Sequence, residues 1–191
     1  IGNTTVAENA AFTGSTPAVT GTPVGTLTYT LGGADAADFT ISSTTGVISM
    51  VARNFEAPVD ADTDNAYEVT IIATDSDGNT ANATQTVTVT DVIETVAFTI
   101  DTISNATVAE NAVFTGSTPI LTGDTSIGTL IYTLGGTDAA AFAIDSDTGL
   151  ISMAARDFEL PADDDTNNVY EVTIIATDSD GNTASETQTV T

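Results

Sequence analysis

The chain has 191 residues, room for one large domain or two of about 95, with 27 Asp+Glu against two Arg and no Lys, a net charge of −25. No basic patch can form, which disfavours nucleic acid and anionic membrane as partners. The absence of His and Cys removes zinc sites, disulfides and most nucleophile–base chemistry. Hydrophobic residues at 41% are too many for a disordered acidic tail, and self-repulsion on this scale opposes compaction unless cations relieve it.

In chain order the segments read as strands only. Thr4–Ala7 and Ala10–Thr13 form a first strand interrupted at Glu8-Asn9. A Gly/Thr/Pro-rich segment follows, with a weak strand near Ala18–Thr20. Thr26–Leu31 alternates, with Leu27, Tyr29 and Leu31 inward. Asp38–Ile41 and Val47–Ala52 flank a turn at Thr45-Gly46. The clearest strand is Tyr67–Thr74, where Tyr67, Val69, Ile71 and Ala73 alternate with polar or outward residues, and Thr84–Thr90 closes the series with Val87 and Val89 inward. No segment holds a helical period. No signal peptide, transmembrane run or lipidation motif is visible, so membrane insertion is not expected. The chain opens inside a strand-like pattern, which predicts a piece of something longer.

The pattern then recurs. Glu8 matches Glu110 at an offset of 102 and Tyr29 matches Tyr132 at 103, with one residue gained between Gly123 and Gly128. From Gly25–Thr88 to Gly128–Thr191, 48 of 64 positions are identical. The reading is a tandem repeat, residues 1–92 and 93–191. About seven short strands per copy with turn signals between them predict two antiparallel Greek-key β-sandwiches arranged end to end. The connection Asp91-Val-Ile-Glu94 has no Gly, Pro or Ser and predicts a fixed junction rather than a flexible spacer.

The acids cluster at the two ends of the Tyr67–Thr74 strand. Asp60, Asp62 and Asp64 alternate with small residues before it, and Asp75, Asp77 and Asn79 do so after it; Asp163, Asp165 and Asn167, then Asp178 and Asp180, repeat the arrangement. Alternating Asp lets a loop turn several oxygens toward one point, as Ca²⁺ requires with its six to eight oxygen ligands. The opening resembles an EF-hand loop but lacks the Glu at the twelfth position and the flanking helices. If the last strands of each copy run antiparallel, the Asn54–Asn65 loop and the exit at Asp91 share a pole. Stacked copies would then bring Asp178 and Asp180 toward Glu56, Asp60–Asp64, Asp91 and Glu94. Carboxylates converging without Lys repel one another unless cations bridge them.

These segments resemble a cadherin-type domain, in the divergent form of long bacterial surface adhesins. Copy 2 reads Glu110-Asn111, then Phe142-Ala-Ile-Asp-Ser-Asp-Thr-Gly-Leu-Ile, Asp157-Phe-Glu159, and Ala176-Thr-Asp178, the order of the family's motifs. Asp91-x-x-Glu94 stands where the family has its Asp-x-Asn-Asp-Asn linker. The resemblance implies an extracellular, cell-surface array of repeats made rigid by Ca²⁺ and acting in adhesion, monomeric, with neighbouring repeats of the same chain as partners. The implied junction ligands are Glu8, Asn54, Glu56, Asp91, Glu94 and Asp178, and Glu110, Asp157 and Glu159 occupy the corresponding pole of copy 2. Asn54 departs from the family's Asp, Ile93 and Thr95 from its linker Asn residues, and the family's Asp-x-Asp has only Asp124 near it. The expected function is a calcium-rigidified spacer projecting a distal binding region, as in biofilm adhesins. The alternative is a module that itself binds sugar, ice or a homophilic partner. An enzyme is not expected, because the acids are duplicated at loop poles rather than singled out as a pair. Arg53 and Arg156 hold equivalent positions and read as structural ion-pair partners.

Overall fold

A residue every second position in an apolar-polar alternation must face inward if the strand is half-buried, and the burial follows that rule. Tyr67, Val69, Ile71 and Ala73 are all buried, as are Val87 and Val89 on the neighbouring strand. The computed structural model describes residues 1–191 and divides into two units, Ile1–Val92 and Ile93–Thr191.

In the first unit β1 (Thr4–Ala7), β2 (Phe12–Thr13), β3 (Thr28–Gly32), β4 (Phe39–Ile41), β5 (Ile48–Met50), β6 (Ala66–Thr74) and β7 (Thr80–Thr90) form two sheets. One has the order β1-β7-β6-β3, the other β2-β5-β4. Both contribute to one core, where Tyr29, Tyr67, Val69, Ile71 and Val87 of the larger sheet meet Phe12, Phe39, Ile48 and Met50 of the smaller. Each such side chain stabilises the fold by roughly 1.5–3 kcal/mol when fully buried. The only helical pieces in the chain are the 3₁₀ turns Ala36–Asp38 and Ala139–Ala141.

The expected pure antiparallel pairing needs correction. β1 runs parallel to β7, with Thr4 opposite Val87 and Ala7 opposite Thr90. The cause lies in the interruption at Glu8-Asn9. Asn9 takes a left-handed φ of 57°, a conformation Asn tolerates better than most residues, and the chain crosses there to pair β2 antiparallel with β5. Two successive strands thus serve the two sheets, β1 pairing parallel in the first and β2 antiparallel in the second. The architecture is all-β, with mixed sheets packed as a β-sandwich.

The second unit contains β8 (Phe98–Ile100), β9 (Phe114–Thr115), β10 (Leu121–Gly123), β11 (Ile131–Gly135), β12 (Phe142–Ile144), β13 (Ile151–Met153), β14 (Tyr170–Thr177) and β15 (Thr183–Val190). Its sheets are β11-β14-β15, β12-β13-β9 and a ribbon of β10 with β8. A single parallel bridge from Ala106 to Val190 stands where β1 pairs with β7 in the first unit. The weak strand expected near Ala18–Thr20 does not form, whereas its counterpart β10 does. β10 pairs antiparallel with β8, Leu121 opposite Ile100 and Gly123 opposite Phe98. Phe98, Ile100, Ile103 and Ala184 belong to the second core.

Candidate metal centres

The loop that enters β6 is built around buried carboxylates. Asp60, 4% exposed, turns its Oδ2 back to accept the N–H of Asp64 at 2.8 Å. Asp64 Oδ1 accepts the N–H of Ala66 at 2.8 Å. Thr63 and Asn65 take left-handed φ values of 59° and 65°, and Asn65 is held there by its side chain, whose Nδ2 donates to the Phe55 carbonyl. This coiling brings carboxylate oxygens of Asp60, Asp62 and Asp64 within 4.8 Å of one another. Asp60 Oδ1 is buried and has no hydrogen-bond donor. A buried charged oxygen left without a partner costs more than the roughly 1–3 kcal/mol of a neutral one. The Asp62 carboxyl is pushed up, first by the Asp64 charge and then by desolvation and Asp60.

The second unit repeats the device. Asp163, 5% exposed, accepts the Asn167 N–H through Oδ2 at 2.6 Å, and its Oδ1 likewise lacks a donor. Burial pushes the Asp163 carboxyl up, but the N–H groups of Asn167 and of the loop outweigh it and hold it low. Asp165 is pushed the other way, by burial and then by Asp163.

Two residues that sequence reasoning passed over support these loops. Asp35, 3% exposed, accepts the N–H of Ala61 at 2.8 Å and that of Glu68 at 2.7 Å, tying the loop to the start of β6. Asp138 does the same for Asp164 and Glu171, both at 2.8 Å. The available signal was retention: Asp35 persists as Asp138 while Asp38, three residues on, becomes Ala141.

A second group forms where the chain leaves the first unit. Glu8, Glu56 and Asp91 each bring a carboxylate oxygen within 4.8 Å of the others. Glu8 is 4% exposed and acts as a clamp: Oε2 accepts the Phe55 N–H at 2.9 Å and Oε1 the Val92 N–H at 2.8 Å. Asn54 stands beside this group, its Oδ1 accepting the Glu56 N–H at 2.8 Å. Glu110, Asp157 and Glu159 gather equally closely in the second unit but are all exposed. There Asp157 Oδ1 accepts the Glu159 N–H at 3.0 Å, as Asn54 does for Glu56. The Glu159 N–H draws its own carboxyl down, yet Glu110, Asp157 and burial together leave it raised.

The loops after β6 and β14 are organised differently. Asp75 receives the N–H groups of Val24, Asp77 and Asn79 at 3.0, 3.0 and 2.9 Å, and the Asn79 amide besides. Chiefly the Asn79 side chain, then the Val24 N–H, lowers its carboxyl to about 2. Asp178 is similarly engaged by Ile127, Asp180 and Asn182. Neither Asp75 with Asp77 nor Asp178 with Asp180 belongs to a three-carboxylate group; Asp75 and Asp178 shape turns, and Asp180 Oδ1 is buried without a hydrogen-bond partner. The linker residue Glu94 is fixed through its backbone, its N–H donating to Asp180 Oδ2 and its carbonyl accepting from the Asn182 amide at 2.9 Å.

Arg53 pairs with Asp38 at 2.7 Å and lies 5.4 Å from the Tyr67 ring centroid. Arg156 keeps the aromatic contact, to Tyr170 at 5.6 Å, but donates to the Ala141 carbonyl instead of an acid. The expected ion pair is therefore present in the first unit and absent from the second. Every donor in the three clusters is an oxygen, which suits a hard cation such as Ca²⁺ or Mg²⁺ and not zinc. The chain carries no catalytic motif and no cysteine.

No family model matches the chain, and no curated protein matches it. Among solved structures it is similar to mouse cadherin-23 EC22–24 at 20% identity and a TM-score of 0.40, over 98% of this chain and 61% of that one. It is similar to Drosophila N-cadherin EC1–4 at 21% identity and a TM-score of 0.39, over 87% of this chain and 41% of that one. Chicken VE-cadherin EC1–2 gives 17% identity and a TM-score of 0.44, over 99% and 98% of the two chains.

Proposed function

We propose that this chain is a calcium-binding spacer of an extracellular adhesin, in which Ca²⁺ restrains the connection between tandem repeats. The observation that carries the reading is the convergence of Glu8, Glu56 and Asp91 at the last residues of the first unit. An ion there would take oxygens from these three, and its two positive charges would offset most of the three negative charges that otherwise repel. Because Glu8 already grips the Val92 N–H, the ion would stiffen the segment just ahead of the linker. In the second unit Glu110, Asp157 and Glu159 would hold an ion with more of its shell completed by water, since all three are exposed. Near-identical copies suit a spacer, which needs repetition, better than a binding module, which needs one distinctive site.

The reading is tested by scattering and melting together. With Ca²⁺ present, replacing Asp91 and Glu94 by Ala should leave both units folded yet broaden the interatomic distance distribution in small-angle scattering. A distribution unchanged from the parent chain would mean that the linker acids do not restrain the connection.

A further inference from the structure

The Asp60–Asp64 and Asp163–Asn167 loops share no residue with the cluster at the chain exit. Each presents the same unsatisfied feature: a buried Asp, 4% or 5% exposed, with one oxygen spent on closing the loop and the other without a donor. The feature occurs in both units, at positions 103 apart in a chain whose loop residues differ at Ala61/Asp164 and Asp64/Asn167. Two differing sequences keep one buried anionic oxygen unpaired, and its carboxylate faces the neighbouring loop acids within 4.8 Å in the first unit. In the second unit an open hollow of about 230 Å³ lies against Asp138, Asp165 and Asn167.

We propose that each repeat carries its own Ca²⁺ site in the loop before its long strand: Asp60, Asp62 and Asp64 in the first unit, Asp163, Asp165 and Asn167 in the second. The site is internal to a repeat, so it serves the stability of the unit and not the connection between units. Asp35 and Asp138 hold the loop in register from beneath through N–H groups at 2.7–2.8 Å.

The two sites are unequal. Asp64 spends Oδ1 on the Ala66 N–H and keeps a second anionic oxygen for the ion. Asn167 spends its only side-chain oxygen on the Val169 N–H at 2.6 Å and turns its amide onto Asp165 Oδ2 at 2.8 Å, occupying an oxygen the ion needs. Ligand charge and rigidity set Ca²⁺ affinity over several decades, so the first site binds the tighter.

The experiment is calorimetric titration of the chelator-stripped chain with Ca²⁺ alone, in the parent and three variants. Asp62→Asn, at an exposed position that leaves the Asp60 and Asp35 contacts intact, should weaken or abolish the tighter internal site. Asn167→Asp should strengthen the weaker one on the order of tenfold. The Glu8→Gln/Glu56→Gln variant should lose the ion at the chain exit and keep both internal sites, which separates this proposal from the spacer reading. Melting in EDTA checks that each variant folds. Unchanged isotherms for Asp62→Asn and Asn167→Asp in folded protein would overturn the proposal; so would a Glu8→Gln/Glu56→Gln variant that binds no Ca²⁺ at all.

Discussion

At the scale of single residues, the acids of this chain divide by what their oxygens already do. Asp75 and Asp178 are saturated by N–H groups and serve as turn posts, whereas Asp60 and Asp163 each hold one oxygen in reserve. The two kinds answer to acid in distinct ways. The folded Asp75 carboxyl titrates at about 2, below the roughly 3.9 of an unfolded Asp. Its contribution is therefore fully present above about pH 4 and lost as the pH falls through about 2. Carboxyl-carbon NMR should show Asp75 titrating near 2 in folded protein, and Asp75→Ala should remove that acid-side slope from the melting of the first unit. A midpoint near 4 would mean that the turn hydrogen bonds are not made in solution. Asp62, pushed up by Asp64, has the opposite sign: the apo loop gains from protonating it, so mild acid relieves repulsion there before it reaches the turn posts.

At the scale of elements, one glycine shows how tightly the buried acids are tied to strand geometry. Gly33 has φ +105°, and a Cβ there would lie 3.0 Å from the Glu68 carbonyl and 3.1 Å from the Thr70 N, both backbone atoms of β6. That close approach is what lets Asp35, two residues on, reach the N–H groups of Ala61 and Glu68. Gly78 also has positive φ, +85°, but nothing lies within 4 Å of its Cβ position. Gly78→Ala should thus cost about 1–2 kcal/mol from backbone conformation alone, and Gly33→Ala distinctly more, because backbone must move as well. Equal losses in denaturant unfolding would show that the Gly33 contact is not a constraint. The strands were legible in the sequence because alternation is a local signal: Leu27, Tyr29 and Leu31, or Tyr67 to Ala73, announce a buried face within a few residues. The Asp60, Asp62 and Asp64 loop was legible for the same reason. Asp35 and the parallel sense of β1 were not, since each depends on a partner some thirty to eighty residues away.

At the scale of the whole molecule, the charge has to be managed by something other than the chain. With a net charge of −25 and a single ion pair, Arg53 with Asp38, the protein has almost no internal counter-charge. Monovalent salt screens exposed charges beyond about 8–10 Å at physiological strength, so it eases the general repulsion but reaches weakly into clusters whose oxygens lie within 4.8 Å. A bound Ca²⁺ acts at that short range and by mass action. At a thousand times its dissociation constant one ion adds about 4 kcal/mol, and for a unit of this size each kcal/mol moves the melting temperature by about 4–8 °C. Raising NaCl to about 150 mM in EDTA should therefore lift the melting temperature modestly. Millimolar Ca²⁺ on top of that salt should add on the order of 15–30 °C. Mg²⁺ at the same concentration supplies the same valence but dehydrates reluctantly and demands octahedral geometry, so its shift should fall well short. If Ca²⁺ and Mg²⁺ shift the melt equally, and no further than NaCl of matched ionic strength, the carboxylate clusters act as diffuse charge and hold no ion.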